Sequence, residues 1–335
     1  MPAAAIRLST LTCDGRGAHS AIVIPSRPVE YEQAIVDRHS KGPSIVAFGI
    51  AVASALAYSL YTCSAWEDWF IVFRASRHLA HGDGLVSQIG ERVQAFSSPV
   101  GALLAALLTW VAGNDRDALV LWLFRAWSIA ALGVTAMLLV NIGRAMRLLP
   151  AATVVLVGLL VVDAKILEFS TDGMETGFGL LFVALALHAL FAPGRRAVLE
   201  LSVAFAGLMW TRPDGFVHGG ALALGCLLFH PRAAGAQSRP ALLRACVVAA
   251  AIGAALYLPW FAWAWWYYGS PLPHSVVAKS LDLAQSPLAT MTLSYPLRLL
   301  ASPLYGDQTF LPFYQFHGGW PKAVSVLSNL TIIAA

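Results

Sequence analysis

The chain has 335 residues, 58% of them hydrophobic and only 12% charged, with a mean hydropathy of +0.67. Soluble domains carry about 25% charged residues, so this composition excludes an ordinary soluble domain and describes an all-α integral membrane protein. The net charge of +4 comes without any basic run interleaved with aromatics, which excludes nucleic acid as a partner, and Cys13, Cys63, Cys226 and Cys246 have no metal-type spacing.

Residues 1–42 are polar and lack the apolar core and cleavage site of a signal peptide, so they read as a disordered cytoplasmic tail. A first apolar segment follows at about 43–63. After it comes Glu67-Asp68-Trp69-Phe70-Ile71-Val72-Phe73-Arg74, the start of an amphipathic helix over roughly 67–81. At 100° per residue, Glu67, Arg74, Arg77, His78 and His81 share one face, and Trp69, Val72, Phe73 and Ala80 the other. Such a helix fits the plane of a membrane surface, as a simple anchor or as part of a site. Gly82-Asp83-Gly84 through Gly90-Glu91-Arg92 reads as turns and short extended pieces.

Further apolar segments lie at about 98–113, 117–141, 150–167, 175–192, 197–211, 213–230 and 241–267, with a short run at 323–335. Charge decides which of them cross. Arg7, Arg16, Arg27, Arg38 and Lys41 place the tail inside, and the loops bearing Arg144/Arg147, Arg195/Arg196 and Arg232/Arg239/Arg244 should be inside too. All of them fall inside only if 98–113 does not cross. That segment has about 16 residues against the roughly 20 a span needs. Ser98 and Pro99 fit the cap and first position of a helix. Seven spans result, with two membrane-parallel helices in an outer loop at 64–116. The expected organisation is a tail at 1–42, a transmembrane module at 43–268, and an outer segment at 269–335 that ends within a further apolar run.

In this topology most acids lie outside or at the outer ends of spans, and the outer face carries four polar groups. Glu67 and Asp68 form the first. Asp172 and Glu175, in Ser170-Thr171-Asp172-Gly173-Met174-Glu175-Thr176, form the second, where a capping box and a chemical role are both open. Thr211-Arg212-Pro213-Asp214-Gly215 is the third and reads as a tight turn. The fourth runs from Tyr267-Tyr268-Gly269 to His274 and Lys279, a proline-stiffened exit with belt aromatics. Arg125 lies about 12 Å below the outer end of its span, where an arginine is a functional candidate unless it snorkels. His188 and His218 read as core histidines unless a partner appears. Residues 310–320 are aromatic-rich and suit either a bilayer surface or a cleft for sugar and lipid.

Carboxylates and cations on one face beside lipid suit a transferase with a lipid-phosphate donor. A carboxylate takes a hydroxyl proton, and cations stabilise the leaving phosphate. A transporter of a lipid-linked sugar or other solute is the alternative, although transporters favour midplane charges and inverted repeats.

The motifs carry a resemblance. Glu67-Asp68-Trp69-Phe70-Ile71-Val72-Phe73-Arg74, with the following Gly82-Asp83-Gly84 and Gly90-Glu91-Arg92 turns, resembles the first outer loop of GT-C-type polyprenyl-phosphate-dependent glycosyltransferases. The terminal arabinofuranosyltransferase-like branch is the nearest. Gly173-Met174-Glu175-Thr176, Thr211-Arg212-Pro213-Asp214-Gly215 and Tyr267-Tyr268-Gly269 through Lys279 resemble its later motifs, in order, over about residues 43–280. Glu67 stands where that family has aspartate, and His274 where it has asparagine. The resemblance implies a GT-C-like bundle and inverting transfer from a polyprenyl-phosphate sugar to a cell-envelope glycan or lipid acceptor. The active site would face outward from the bacterial inner membrane. It implies Asp68 as base with Glu67 second, since an extra methylene would displace the carboxylate by about 1 Å. Glu175, assisted by Asp172, would orient acceptor or base. Arg74, Arg212, His274, Lys279 and Arg125 would face the donor phosphate. No cofactor is required, and a divalent cation is compatible with the acids. The family is longer than this chain, so the segment ending at Ala335 reads as truncated, and an inactive truncated relative is a further reading.

Overall fold

The structure is a computed structural model, and it describes residues 41–113, 116–191, 196–229 and 238–278. The tail over 1–40, Lys279 and the aromatic segment 310–320 lie outside the described residues.

Among the described residues the architecture is all-helical, with one isolated bridge between Gln88 and Glu91. The helices are α1 (Gly42–Thr62), α2 (Glu67–His81), α3 (Pro99–Ala112), α4 (Asp117–Ala145) and α5 (Pro150–Val162). They continue with α6 (Ala164–Thr171), α7 (Thr176–Phe191), α8 (Ala197–Thr211), α9 (Gly215–Leu228) and α10 (Arg239–Tyr268). Helices α1, α4 and α10 have 21, 29 and 30 residues and are long and apolar enough to cross a membrane. Helices α5 and α6 make a fourth candidate, bent by 52°.

The bend departs from the single segment expected at 150–167, and Asp163 causes it. Its carboxylate accepts a hydrogen bond from Ile166 N–H at 2.9 Å and so starts a new helix inside an apolar run. Helices α7, α8 and α9 have 16, 15 and 14 residues, within two of the 14 of α3. Length therefore does not separate α3 from them, and the seven-span count rests on the placement of basic residues alone.

Four apolar clusters hold the helices together. One joins α1, α4, α5 and α6 around Tyr58, Leu132, Leu160 and Leu167. Another joins α7 through α10 around Leu201, Phe205, Leu208 and Cys246. His188 gains a partner here, with Nδ1 3.0 Å from Glu200 Oε2 on α8. His218 stays exposed, its ring contacting the Asp214 carbonyl one turn back.

The remaining two clusters clamp the loop between α1 and α4. Trp69 and Phe73 of α2 pack with Ala105 and Leu108 of α3, Val120 and Phe124 of α4, and Phe178 of α7. Val72 and Ala75 pack with Phe96, Ala102 and, on α10, Trp260 and Tyr268. Tyr268 Oη donates to the Leu85 carbonyl at 2.6 Å. Burying a side chain such as Trp69 contributes about 3 kcal/mol, so α2 is fixed on both flanks. Contacts between α2 and α4 run in opposite order along the two helices. Trp69 meets Phe124 at 5.0 Å, and Arg77 meets Asp117 at 3.2 Å. The polar end of α2 therefore lies beside the first turn of α4.

Candidate active site

Three connectors converge at the start of α2. Glu67 and Asp68 occupy its first turn, where the helix dipole favours negative charge. Glu67 is exposed and Asp68 half-buried. Trp69, two residues in, is 2% exposed and points into the core.

The second connector, between α6 and α7, lies against the first. Trp66 N–H donates to the Asp172 carbonyl at 2.9 Å, and Ser64 Oγ donates to the Asp172 carboxylate. Trp66 and Phe169 pack at 4.9 Å. Gly173 has φ +94°, and a Cβ there would fall 2.8 Å from Trp69. Only glycine lets the connector carrying the second acid group approach α2 so closely.

This geometry changes the role of Asp172. The sequence suggests an N-cap for the following helix. Instead Asp172 ends α6, its N–H donating to the Glu168 carbonyl at 2.9 Å, and its side chain turns back to Ser64. Glu175 stands immediately before α7, and its carbonyl accepts from Phe178 and Gly179. Asp172 closes α6 and Glu175 precedes α7, so the two residues stand at the ends of different helices.

Arg125 reaches this junction from α4. It is 3% exposed. Its Nε donates to the Thr171 carbonyl at 2.8 Å, its Nη2 donates to the Ser64 carbonyl, and its guanidinium lies 4.7 Å over the Trp122 ring. Its forked donors thus join the two connectors.

The third connector is the turn 211–215. Gly215 N–H donates to the Arg212 carbonyl at 2.9 Å. A Cβ on Gly215 would fall 2.2 Å from the Leu208 carbonyl oxygen, so α9 can fold back on α8 only with glycine there. This is the tight turn expected from the sequence, and it aims Arg212. The guanidinium, about half exposed, lies 3.6 Å from Glu175 Oε1 and 3.1 Å from Asp214 Oδ1.

Glu175 is 5% exposed. Burial pushes its carboxyl above the usual carboxylate range; its own backbone N–H and Arg212 pull it down, and Asp68 and Asp214 push it further up. The fields of Asp68, Arg212 and Asp214 therefore meet at Glu175. A buried carboxyl, a half-buried carboxylate and an accessible guanidinium supply proton acceptance beside anion binding.

Sequence reasoning missed Glu168. It is fully buried, with Oε2 3.5 Å from Tyr58 Oη and, among the described residues, no hydrogen-bond partner for Oε1. An acid one helical turn before Asp172, at the end of an apolar run, was the available signal.

The other expected phosphate contacts sit elsewhere. Arg74 is exposed on α2, six residues and about 9 Å beyond Asp68 along the axis. It lines a separate cleft with Arg77, His78 and His81. His274 pairs with the loop between α2 and α3: Gln94 N–H donates to its Nδ1 at 3.2 Å, and its own N–H donates to the Gln94 carbonyl at 3.0 Å. Among the described residues no three His, Cys, Asp or Glu side chains are grouped to hold a metal ion.

No protein-family model matches the chain, and no solved structure matches it. The chain is similar to a terminal β-(1→2)-arabinofuranosyltransferase of Corynebacterium glutamicum, with 28% identity over 273 residues covering 72% of this chain. It spans 38% of that relative's length. The matched relative is by its name a glycosyltransferase.

Proposed function

We propose that the protein is an integral-membrane glycosyltransferase of the GT-C type. It moves a sugar, arabinofuranose in the first instance, from a polyprenyl-phosphate donor to a cell-envelope glycan or lipid acceptor. The N-terminus is cytoplasmic, and the site faces outward from the bacterial inner membrane. The observation that carries this reading is the convergence of Asp68, Glu175 and Arg212 from three separate connectors, taken with the similarity to an arabinofuranosyltransferase.

Asp68 takes the proton of the acceptor hydroxyl as its oxygen attacks the anomeric carbon. Attack comes from the face opposite the phosphate, so configuration inverts. The bond from that carbon to the phosphate oxygen breaks, and Arg212 stabilises the charge that develops there. Glu175, held by Arg212, orients the acceptor. Glu67 is the alternative base, and Asp172 keeps the connector in place. His274 and Lys279 would border the donor from the exit of α10, with His274 bracing the outer loop. Protein side chains suffice for a monophosphate leaving group, so no cofactor is required, and a divalent cation would be an accessory at the acids.

The test is transfer from a radiolabelled polyprenyl-phosphate arabinose to a glycan acceptor in proteoliposomes. The expected result is a labelled product that disappears in Asp68→Asn and Glu175→Gln. Full activity in both variants would remove this site. Passage of the labelled lipid across the bilayer without chemical change would establish a transporter instead.

A further inference from the structure

The polar face of α2 forms one wall of a cleft of about 530 Å³, within the range of small-molecule sites. Phe70 and Phe73 line it, as do Asp83 and Asp117 with the basic residues. The transfer chemistry proposed above does not use it.

Two arginines and two aspartates line this cleft, so their charges balance. Arg77 pairs with Asp117 at 3.2 Å. Among the described residues Arg74 and Asp83 have no ion-pair partner, so one free guanidinium and one free carboxylate remain. The histidines add polar ring atoms. His78 Nδ1 lies 2.7 Å from the Val86 carbonyl and His81 Nδ1 2.7 Å from the Arg77 carbonyl. A carbonyl only accepts, so each Nδ1 carries the hydrogen, and each Nε2 is the ring's second polar atom.

A phosphate or carboxylate ligand, which mainly accepts, would face two aspartates. A cationic ligand would face two guanidiniums. A hydroxyl both donates and accepts, so a ligand with many hydroxyls and no charge fits this mixture best. Phe70, 58% exposed, provides an apolar platform of the kind that packs against the C–H face of a sugar ring.

The level of the cleft also favours a water-soluble ligand. The exposed Trp122 and Trp127 on α4 suit the membrane interface. Asp117 lies five residues, about 7.5 Å, before Trp122 toward the end of the helix assigned to the outside.

We propose that the cleft between the polar face of α2 and the first turn of α4 binds an uncharged glycan. Resting on the transferase reading, it is a subsite for part of the acceptor remote from the reacting hydroxyl. Arg74 then serves the acceptor rather than the donor phosphate.

The experiment uses the full chain in detergent or nanodiscs, with an uncharged arabinofuranose hexasaccharide as probe and calorimetry as readout. Phe70→Ala and Asp83→Ala alter exposed side chains, and thermal unfolding checks that each variant is folded. The expected result is saturable binding, weakened at least tenfold by each variant, retained in Asp68→Asn and not displaced by inorganic phosphate. Absence of binding to the folded wild type, undiminished binding in both variants, or displacement by phosphate would overturn the proposal. Binding that depends on Phe70 and Asp83 in a protein without transfer activity would sustain the cleft and remove only the transferase reading.

Discussion

Arg125 Nε donates to the Thr171 carbonyl across 2.8 Å, joining α4 to the connector that ends at Glu175. The same guanidinium holds the Ser64 carbonyl, just ahead of Glu67 and Asp68. One buried side chain therefore sets the separation of two acid groups that are more than a hundred residues apart in sequence.

Arg125→Ala leaves two buried carbonyls without their donor, and each such loss costs about 1–3 kcal/mol. The variant should melt well below the wild type in detergent and lose transfer. Arg125→Lys should restore little, because a single ammonium lacks the planar fork that reaches both carbonyls. Full rescue by lysine would show that charge alone matters at this position.

Asp68→Asn should lower transfer by about 10²–10⁴-fold, the range expected for a general base. Its melting temperature should stay near that of the wild type, because Asp68 is only half-buried. If Glu67→Gln shows the larger loss instead, the base is one residue earlier.

Glu175 links stability to pH. Its folded carboxyl lies above the unfolded value of about 4.3, because burial outweighs Arg212. The folded state therefore holds its proton more tightly, and stability falls as pH rises from the unfolded pKa to the folded one. Glu175→Gln removes that slope. The melting temperature of the variant relative to wild type should increase with pH across this window, while transfer is lost. A difference that does not change with pH would show that burial does not control this carboxyl.

Gly173→Ala places a Cβ 2.8 Å from Trp69 on a backbone with φ +94°. The left-handed conformation alone costs about 1–2 kcal/mol, and the contact adds to it. Reduced stability together with reduced transfer is expected. Unchanged values in both would mean that α2 and the connector need not be so close.

Arg212→Gln should chiefly raise the donor KM. A hydrogen bond to a charged group is worth about 1.5–3 kcal/mol, roughly a 10- to 150-fold change. An effect confined to acceptor KM would assign Arg212 to the other substrate.

Much of the local structure was legible in the sequence. The helix expected at 67–81 is Glu67–His81. Ser98 Oγ accepts from Gly101 N–H at 3.1 Å and Pro99 opens α3, as their types suggest. The turn at Arg212-Pro213-Asp214-Gly215 forms where its residues require it. Asp163 was less legible, because hydropathy averages over a single acid whereas a cap acts through one hydrogen bond.

The sequence by itself determined a helical membrane protein whose acids gather at helix ends, because hydropathy, periodicity and capping are set by near neighbours along the chain. Only the tertiary structure decided what those ends do to one another. It made Asp172 a brace to Ser64, paired Glu175 with Arg212, set Arg125 as a clamp on two carbonyls, and placed Arg74 in another cleft. These outcomes depend on contacts between helices distant in sequence, where a charged side chain meets whichever donor or acceptor the packing presents.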